Sequence, residues 1–400
     1  MKKRILFVIP TLSCGGAERA LVALLNKFDY NKYDCDLMLF RRDDMYFKKN
    51  IPKNVNLLDN DEKTNVCFSH VKHLLKPSIL IPYLYLVLIR IYTTTRFKLN
   101  KFLNSKKEFY DWDYIEKRLP FNKIKYDVAI SFLEGNSNFY VATKVHADIK
   151  IGWIRSDYEA WGYNKEHDYS YFDKLDKIFT VSEKSTEKMR TLFPTIANKF
   201  EAMYNVLDYE EIDSLSQEKI DNKSFEETKE IKIVSIGNLR YVKGYDRSIE
   251  ACNILKKKSY KFRWYIVGEG QERSKLEKLI DKYDLKNEFI LCGLKRNPYP
   301  YLKNADIYVQ ASRHEGFSTS IREAKHFGKP IVIVDCPGMS EQIENKYNGF
   351  ISYKDNEEFA KLIGELINDD TLRKDFSNRL IQQDSNDNNK ELDKLYQVIK

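Results

Sequence analysis

The chain has 400 residues, 42% hydrophobic and 32% charged, with a formal charge of +8. That length suits two ordinary domains, and the composition excludes a disordered or collagenous chain. So modest a net charge gives nucleic acid no claim as a partner. The six cysteines lie scattered with no C-x-x-C pair or metal-ligand spacing, and read as free thiols in a reducing compartment.

Taken in chain order, the first element is a strand, Ile5–Ile9, behind the basic tetrapeptide Met1-Lys2-Lys3-Arg4. The apolar run is too short for a secretory signal, and Gly15-Gly16 follows just before a helical pattern, Ala17–Phe28. Glycines there let backbone amides approach a phosphate, and the helix start adds a partial positive charge. A plain strand-to-helix turn explains the same glycines. The three-glycine dinucleotide fingerprint is absent, so NAD or FAD is not supported. Further strands are expected at Cys35–Phe40, Val128–Phe132, Lys150–Ile154, Ile178–Val181 and Ala202–Asn205.

Between the second and third of these lies a basic, apolar stretch. Val71 to Lys107 holds eight Lys or Arg and no Asp or Glu, and includes the run Ile79–Ile89. Pro82 and Arg90 break that run, so it is not a membrane span. A basic segment with an apolar face suits the surface of an anionic membrane, with Lys72, Lys76, Arg90, Arg96, Lys98 and Lys101 as contacts. The other reading is a core helix with solvated cations. No cluster with metal-ligand spacing is visible, so no metal and no cofactor are expected.

A charged stretch, residues 208–230, reads as an interdomain linker with one surface helix. A second series of strands follows: Ile231–Ile236, Phe262–Val267, Phe289–Cys292, Ile307–Val309 and Ile331–Val334. Helical patterns at Tyr245–Lys257, Glu272–Tyr283 and Glu357–Ile367 lie among or after them. Continuous Val/Ile/Leu runs alternating with helices imply parallel sheets buried on both faces, an α/β doubly wound architecture. The expected division is 1–207, linker 208–230, 231–384, and a tail helix within 385–400. Two such domains facing across a cleft would place ligand sites on both sides of it.

Chemistry concentrates in the second series. Gly237-Asn238-Leu239-Arg240-Tyr241-Val242-Lys243-Gly244 follows a strand and sets two cations before a helix. Arg and Lys both partner phosphate oxygens, although alone they are ordinary loop cations. After Ile307–Val309 comes Ala311-Ser312-Arg313-His314-Glu315-Gly316-Phe317-Ser318-Thr319-Ser320-Ile321-Arg322-Glu323-Ala324. Here Gly316, Ser318 and Thr319 stand at a helix start, offering amides and hydroxyls to an anion. Glu323, one turn in, can accept both hydroxyls of a ribose, and Glu315 can reach those of a hexose.

With these motifs the sequence resembles the retaining glycosyltransferases of the GT-B fold, family four. The resemblance spans most of the chain and is strongest from Ile231 to Phe350. It rests on Glu315 and Glu323 as E-x7-E, the Gly237–Gly244 loop, Val267-Gly268-Glu269-Gly270, Gly15 to Arg19, and Gly328-Lys329-Pro330-Ile331-Val332. The fold so implied is GT-B, two doubly wound Rossmann-like domains.

The resemblance further implies that Lys243 holds a donor diphosphate and that Gly316, Phe317, Ser318 and Thr319 cradle it. Glu323 would bind the ribose, Glu315 would lie near the transferred sugar, and Gly15 and Gly16 would face the phosphates. Two departures stand out. Asn238 occupies a position where most relatives carry Arg, with Arg240 as a substitute charge. Arg155, in Trp153-Ile154-Arg155-Ser156-Asp157, occupies a position where many carry His. An arginine cannot accept a proton, so Asp157 becomes the acceptor-side candidate, or else a helix cap. Glu315, Lys243 and Asp157 are thus the catalytic candidates.

The implied activity is transfer of a hexose or N-acetylhexosamine from a nucleotide-diphosphate sugar, a UDP-sugar first, to a lipid-linked or polysaccharide acceptor in surface glycan synthesis. The protein would be cytoplasmic and peripheral on the inner face of the cell membrane. A nucleotide-sugar epimerase and a non-catalytic partner subunit are the alternatives.

Overall fold

The computed structural model describes the chain except residues 1, 103–110, 160–161 and 384–386 and the side chains at 72, 97–98, 100–102, 337 and 387–389. It divides into two compact units, Met1–Leu207 with Asn388–Lys400, and Asp208–Asp387.

In the first unit seven strands form one parallel sheet: β1 (Lys3–Ile9), β2 (Tyr33–Leu39), β3 (Val55–Leu57), β4 (Lys125–Ser131), β5 (His146–Ile154), β6 (Lys177–Thr180) and β7 (Phe200–Ala202). Their order is β3-β2-β1-β4-β5-β6-β7. Ile5 to Ile9 are all fully buried, because helices cover both faces of a parallel sheet. The Gly16–Asn26 helix turns Leu21, Leu24 and Leu25 inward at helical spacing.

The second unit repeats the plan with β8 (Ile231–Ile236), β9 (Phe262–Val267), β10 (Phe289–Gly293), β11 (Ile307–Gln310), β12 (Ile331–Val334) and β13 (Gly349–Ser352). These are again parallel, in the order β10-β9-β8-β11-β12-β13. Strand order reverses between β1 and β4 in one sheet and between β8 and β11 in the other. Loops leaving neighbouring strands there diverge and open a crevice beyond the strand C-termini.

Three segments differ from the sequence reading. β3 and β13 are short strands, each at one edge of its sheet, that hydrophobic runs do not announce. Residues 208–230 do not behave as a linker. Asp208 and Asn222 cap the helices Tyr209–Leu215 and Lys223–Glu227, and Phe225 is buried edge-on to Tyr265 and Tyr301, 4.7 and 5.0 Å between ring centroids. Burying one such ring contributes roughly 2–3 kcal/mol, ample to dock a short helix. The C-terminal helix, Asp387–Ile399, docks on the first unit. Tyr396 stacks on Tyr33 and its hydroxyl accepts from the Asp29 amide (2.9 Å), while Glu391 accepts from the Tyr204 amide (2.8 Å).

Candidate functional site

The chemistry of the second unit gathers where its strand order reverses. β8 ends at Ile236, and the chain crosses to the Tyr245–Lys257 helix through a single 3-10 turn, Tyr241–Lys243. Gly244 closes that turn at φ +67, and a Cβ on it would stand 2.0 Å from the Ala311 carbonyl oxygen. Only glycine lets the turn lie so close to the end of β11. Arg313 then stitches the loops together. Its amide donates to Val242 O (2.8 Å), its guanidinium grips both Asp246 oxygens (2.8 and 2.5 Å), and it lies 4.0 Å over the Tyr241 ring. Burial works against the Asp246 carboxylate, but Arg313 outweighs it and holds the carboxyl below its ordinary range.

Stitched in this way, the loops bring Lys243 and Glu315 together as an ion pair. The same carboxylate oxygen, Oε1, accepts from Gln310 Nε2 (3.0 Å) and Ser312 Oγ (3.1 Å). Gln310 is itself fixed, its own oxygen accepting from Tyr308 OH (2.9 Å) and Ser318 Oγ (2.8 Å). The other oxygen of Glu315 has no protein donor among the described residues. Beneath the loop lies Gly338, where a Cβ would meet Gly316 O at 2.3 Å and Glu315 O at 2.4 Å. A bulkier residue there would push the Glu315–Gly316 backbone out of place.

The Thr319–His326 helix begins directly after this loop. Ser318 is its N-cap residue, but its hydroxyl serves Gln310 and makes no cap bond. Gly316 and Ser318 are buried, and Phe317 and Thr319 are half-buried. Glu323 is buried inside the helix and accepts from Tyr299 OH at 3.2 Å. Asn238 and Arg240 are exposed on the facing loop, and neither side chain bonds another described residue. Thus Lys243 and Glu315 meet, while Arg240 and Asn238 are not drawn in by them. Gln310, Ser312, Arg313, Asp246 and Tyr299 escaped the sequence reading. A glutamine ending the buried run Ile307-Tyr308-Val309 was the available signal, since a buried polar side chain needs partners.

In the first unit, Gly15 caps the Gly16–Asn26 helix, and Glu18 accepts from Ser13 Oγ (2.8 Å) and Thr11 Oγ (3.4 Å). A Cβ on Gly15 would sit 2.2 Å from that carboxylate, whereas nothing stands within 4 Å of one on Gly16. At Gly15 the near contact is the mobile end of the Glu18 side chain, and the open space lies at Gly16.

Arg155 follows β5 as a cross-tie. Its amide donates to Glu134 (2.8 Å), its guanidinium bonds Asn205 Oδ1 and lies over Phe132 (4.2 Å) and Trp153 (5.1 Å), and Nη1 is buried with no hydrogen-bond partner. Burial lowers its pKa to about 10 against the opposing pull of Glu134 and Glu18, which still leaves it charged at neutral pH. Asp157 accepts from Lys188 (2.7 Å), which also pairs with Glu159 (2.8 Å). It caps no helix: the next one begins at Lys165 and is capped by Asn164.

The basic segment splits into two faces. The Leu84–Phe102 helix buries Leu86 and Val87 and turns out Leu84, Tyr85, Leu88, Tyr92 and Leu99, in line with the preceding Ile81. Ile81 is 79% exposed, Tyr85 61% and Leu88 53%, a stripe at three- and four-residue spacing. Arg90 belongs to the inner face, bonded to Asp111 (2.8 Å) and Ser69 O (3.2 Å), so it is not a surface contact. Lys76 and Arg96 are exposed. The side chains of Lys72, Lys98 and Lys101 lie outside the described residues. No helix among the described residues is long and apolar enough to cross a membrane.

Residues 216–383 match the family model of glycosyl transferases group 1. The matched region contains both glycine-shaped loops and the Lys243–Glu315 pair. An uncharacterized glycosyltransferase of Methanocaldococcus jannaschii is 27% identical over 53% of the chain and 60% of its own length. A Campylobacter jejuni enzyme, N-acetylgalactosamine-N,N'-diacetylbacillosaminyl-diphospho-undecaprenol 4-alpha-N-acetylgalactosaminyltransferase, is 29% identical over 52% of the chain and 55% of its own length. The chain therefore spans little more than half the length of these relatives. Over 100% of both chains it also superposes on a TarM mutant from S. aureus solved with fondaparinux, alpha-GlcNAc-glycerol and UDP, at a TM-score of 0.70 and 15% identity. At that identity the match shows the fold, which is GT-B.

Proposed function

We propose that the chain transfers a hexose or N-acetylhexosamine from a UDP-sugar, with retention, to a lipid-linked or polysaccharide acceptor in surface glycan assembly. The observation that carries this reading is the Lys243–Glu315 pair, held on two interlocked loops where strand order reverses and next to a helix start. The UDP bound to TarM supports a UDP-sugar, and the diphospho-undecaprenol substrate of the Campylobacter relative supports a lipid diphosphate acceptor.

In this reaction the bond from the anomeric carbon to the diphosphate breaks, and its electron pair leaves with the phosphate oxygen. Lys243, Arg240 and the amides of residues 316–319 supply positive charge where that negative charge develops, which is electrostatic catalysis. Glu315 keeps one oxygen on its three donors and turns the other to a sugar hydroxyl, while Glu323 takes the ribose. The acceptor hydroxyl adds from the leaving-group face and passes its proton to the departing phosphate. Arg155, charged and tied, takes no proton. Asp157, paired with Lys188, orients the acceptor. The scheme uses no metal, so EDTA should leave turnover unchanged. The exposed stripe from Ile81 to Leu99, with Lys76 and Arg96, would hold the protein on an anionic membrane at the inner face of the cell.

Thermal shift against UDP-, GDP- and ADP-sugars tests the donor site. UDP-sugars should raise the melting temperature of the wild type, and Lys243→Ala and Glu323→Ala should each abolish the rise. If no nucleotide stabilises the wild type, the site is not a donor site, and a non-catalytic partner subunit becomes the better description.

A further inference from the structure

At the opposite end of the first sheet, a cavity of about 340 Å³ opens at the N-terminal ends of β4 and β5, lined by Lys123, Lys125, Val145, His146, Ala147 and Lys150. β5 is nine residues long, which places this cavity roughly 25 Å from Arg155 at the strand's far end. It is a separate site in the same unit, and it does not depend on the donor reading.

No carboxylate is among its lining residues. Each nearby acid already has a partner, in two cases one of the cavity's own lining residues. Asp148 pairs with Lys125 (2.8 Å), Asp176 accepts from the Lys150 amide (2.7 Å), and Asp127 accepts from the Arg4 amide (2.7 Å). The Lys150 ammonium bonds only a backbone carbonyl, Ala142 O, at 3.0 Å. Burial pulls its pKa down and Lys174 adds to that pull, with Asp176 opposing. Lys123 makes no bond to any described residue. Lys144 is only 7% exposed, yet its ammonium has a ring as partner rather than a carboxylate, lying 4.9 Å from the centre of Phe121.

Buried or half-buried cations without acids store unfavourable charge, which an arriving anion relieves. Phe121, in turn, is 56% exposed and stacked on His146 at 5.5 Å, a flat apolar platform at the rim of the cationic cavity. Phosphate alone would need only the lysines. Cations beside an exposed ring suit a ligand that carries both an acid group and an apolar face, which a sugar ring presents. The volume suits one or two such rings.

We propose that this cavity binds an acidic saccharide unit, with its carboxylate or phosphate between Lys123 and Lys150 and its ring on Phe121. On a transferase acting on a charged polymer, such a site would hold a part of the chain remote from the reacting end.

Isothermal titration of the full chain with tetragalacturonate, glucose 6-phosphate, neutral maltotetraose and inorganic phosphate tests the proposal. The two acidic sugars should bind, and tighter binding of one tells carboxylate from phosphate. Maltotetraose should not bind. Lys123→Ala and Lys150→Met should each weaken acidic-sugar binding by about tenfold, as expected for losing one charged hydrogen bond. Phe121→Ala should weaken the sugars without changing inorganic phosphate. The UDP-induced thermal shift should persist in all three variants, which shows that they fold and separates this result from the donor reading. Wild-type affinity in Lys123→Ala and Lys150→Met would overturn the proposal. So would inorganic phosphate binding as tightly as the sugars. So too would loss of sedimentation with anionic vesicles in these variants when no sugar binds the wild type, since the site would then take lipid headgroups.

Discussion

Beyond β8 and β11 the charged groups are poised toward solvent. Lys243 is neutralised only by a carboxylate that keeps one oxygen without a protein donor, and Arg240 stands unbonded on the loop. Beyond β1, β4 and β5 the charge is locked. Arg155 is pressed between aromatic faces and tied to Asn205, Glu18 is spent on two hydroxyls, and Asp157 is held by Lys188. Two sheets of the same topology therefore use their reversal points differently. One braces its loops with Arg313 and Asp246 and still leaves other cations open to a ligand, and the other spends its ions on bracing. An ionisable residue in a motif position can serve either end, and its partners decide which.

The sharpest way to break this contrast is Lys243→Ala. If its charge acts on the leaving diphosphate, kcat/KM in a donor-turnover assay should fall by about 10²–10³-fold. A drop of a few-fold would make it another brace. The basic segment shows the same division, Arg90 inward and the Ile81–Leu99 stripe outward. Ile81→Asp with Leu88→Asp should cut sedimentation with anionic vesicles roughly tenfold or more, since each buried apolar side chain is worth about 1.5–3 kcal/mol. Unchanged sedimentation would leave the stripe without a membrane role.

Gly244→Ala probes the interlock itself. With φ +67 and the Ala311 carbonyl in the way, it should destabilise the chain by about 1–3 kcal/mol in urea unfolding and weaken UDP binding as well. Arg155→His comes next. An imidazole cannot both reach Asn205 and span the two rings, so stability should fall by about 1–2 kcal/mol with no gain in rate. A faster enzyme would show that the position is catalytic and that the tie is incidental. Asp246→Asn gives the smallest effect, and a pH-dependent one. Its folded pKa lies below the unfolded value of about 3.9. The Arg313 pair therefore stabilises the fold above that value and loses its contribution as pH falls through the folded pKa. Wild type and variant should differ in melting temperature at pH 7 and converge as the pH falls through the folded pKa.

Much of this was legible along the chain. Apolar runs place nearly every inner strand, because a strand covered on both faces must be apolar throughout. The expected Tyr245–Lys257 helix has the observed bounds. Two edge strands, β3 and β13, were not legible: they are three and four residues long and lack a continuous run of Val, Ile or Leu. Residues 208–230 look like a linker because two short helices need only Ile212 and Phe225 to anchor them.

By itself, the sequence determined the two parallel sheets, the glycines at their turns and the spacing of Glu315 and Glu323. These follow from local backbone geometry and from which residues tolerate burial. Only the tertiary structure decided that Glu315 leans on Gln310 and Ser312, that Asp246 holds Arg313, and that Arg155 is a tie. Those partners lie up to 67 residues apart, and Lys243 and Glu315 lie 72 apart. A side chain's charge is written in the sequence, but whether that charge is spent or available depends on what the fold sets beside it.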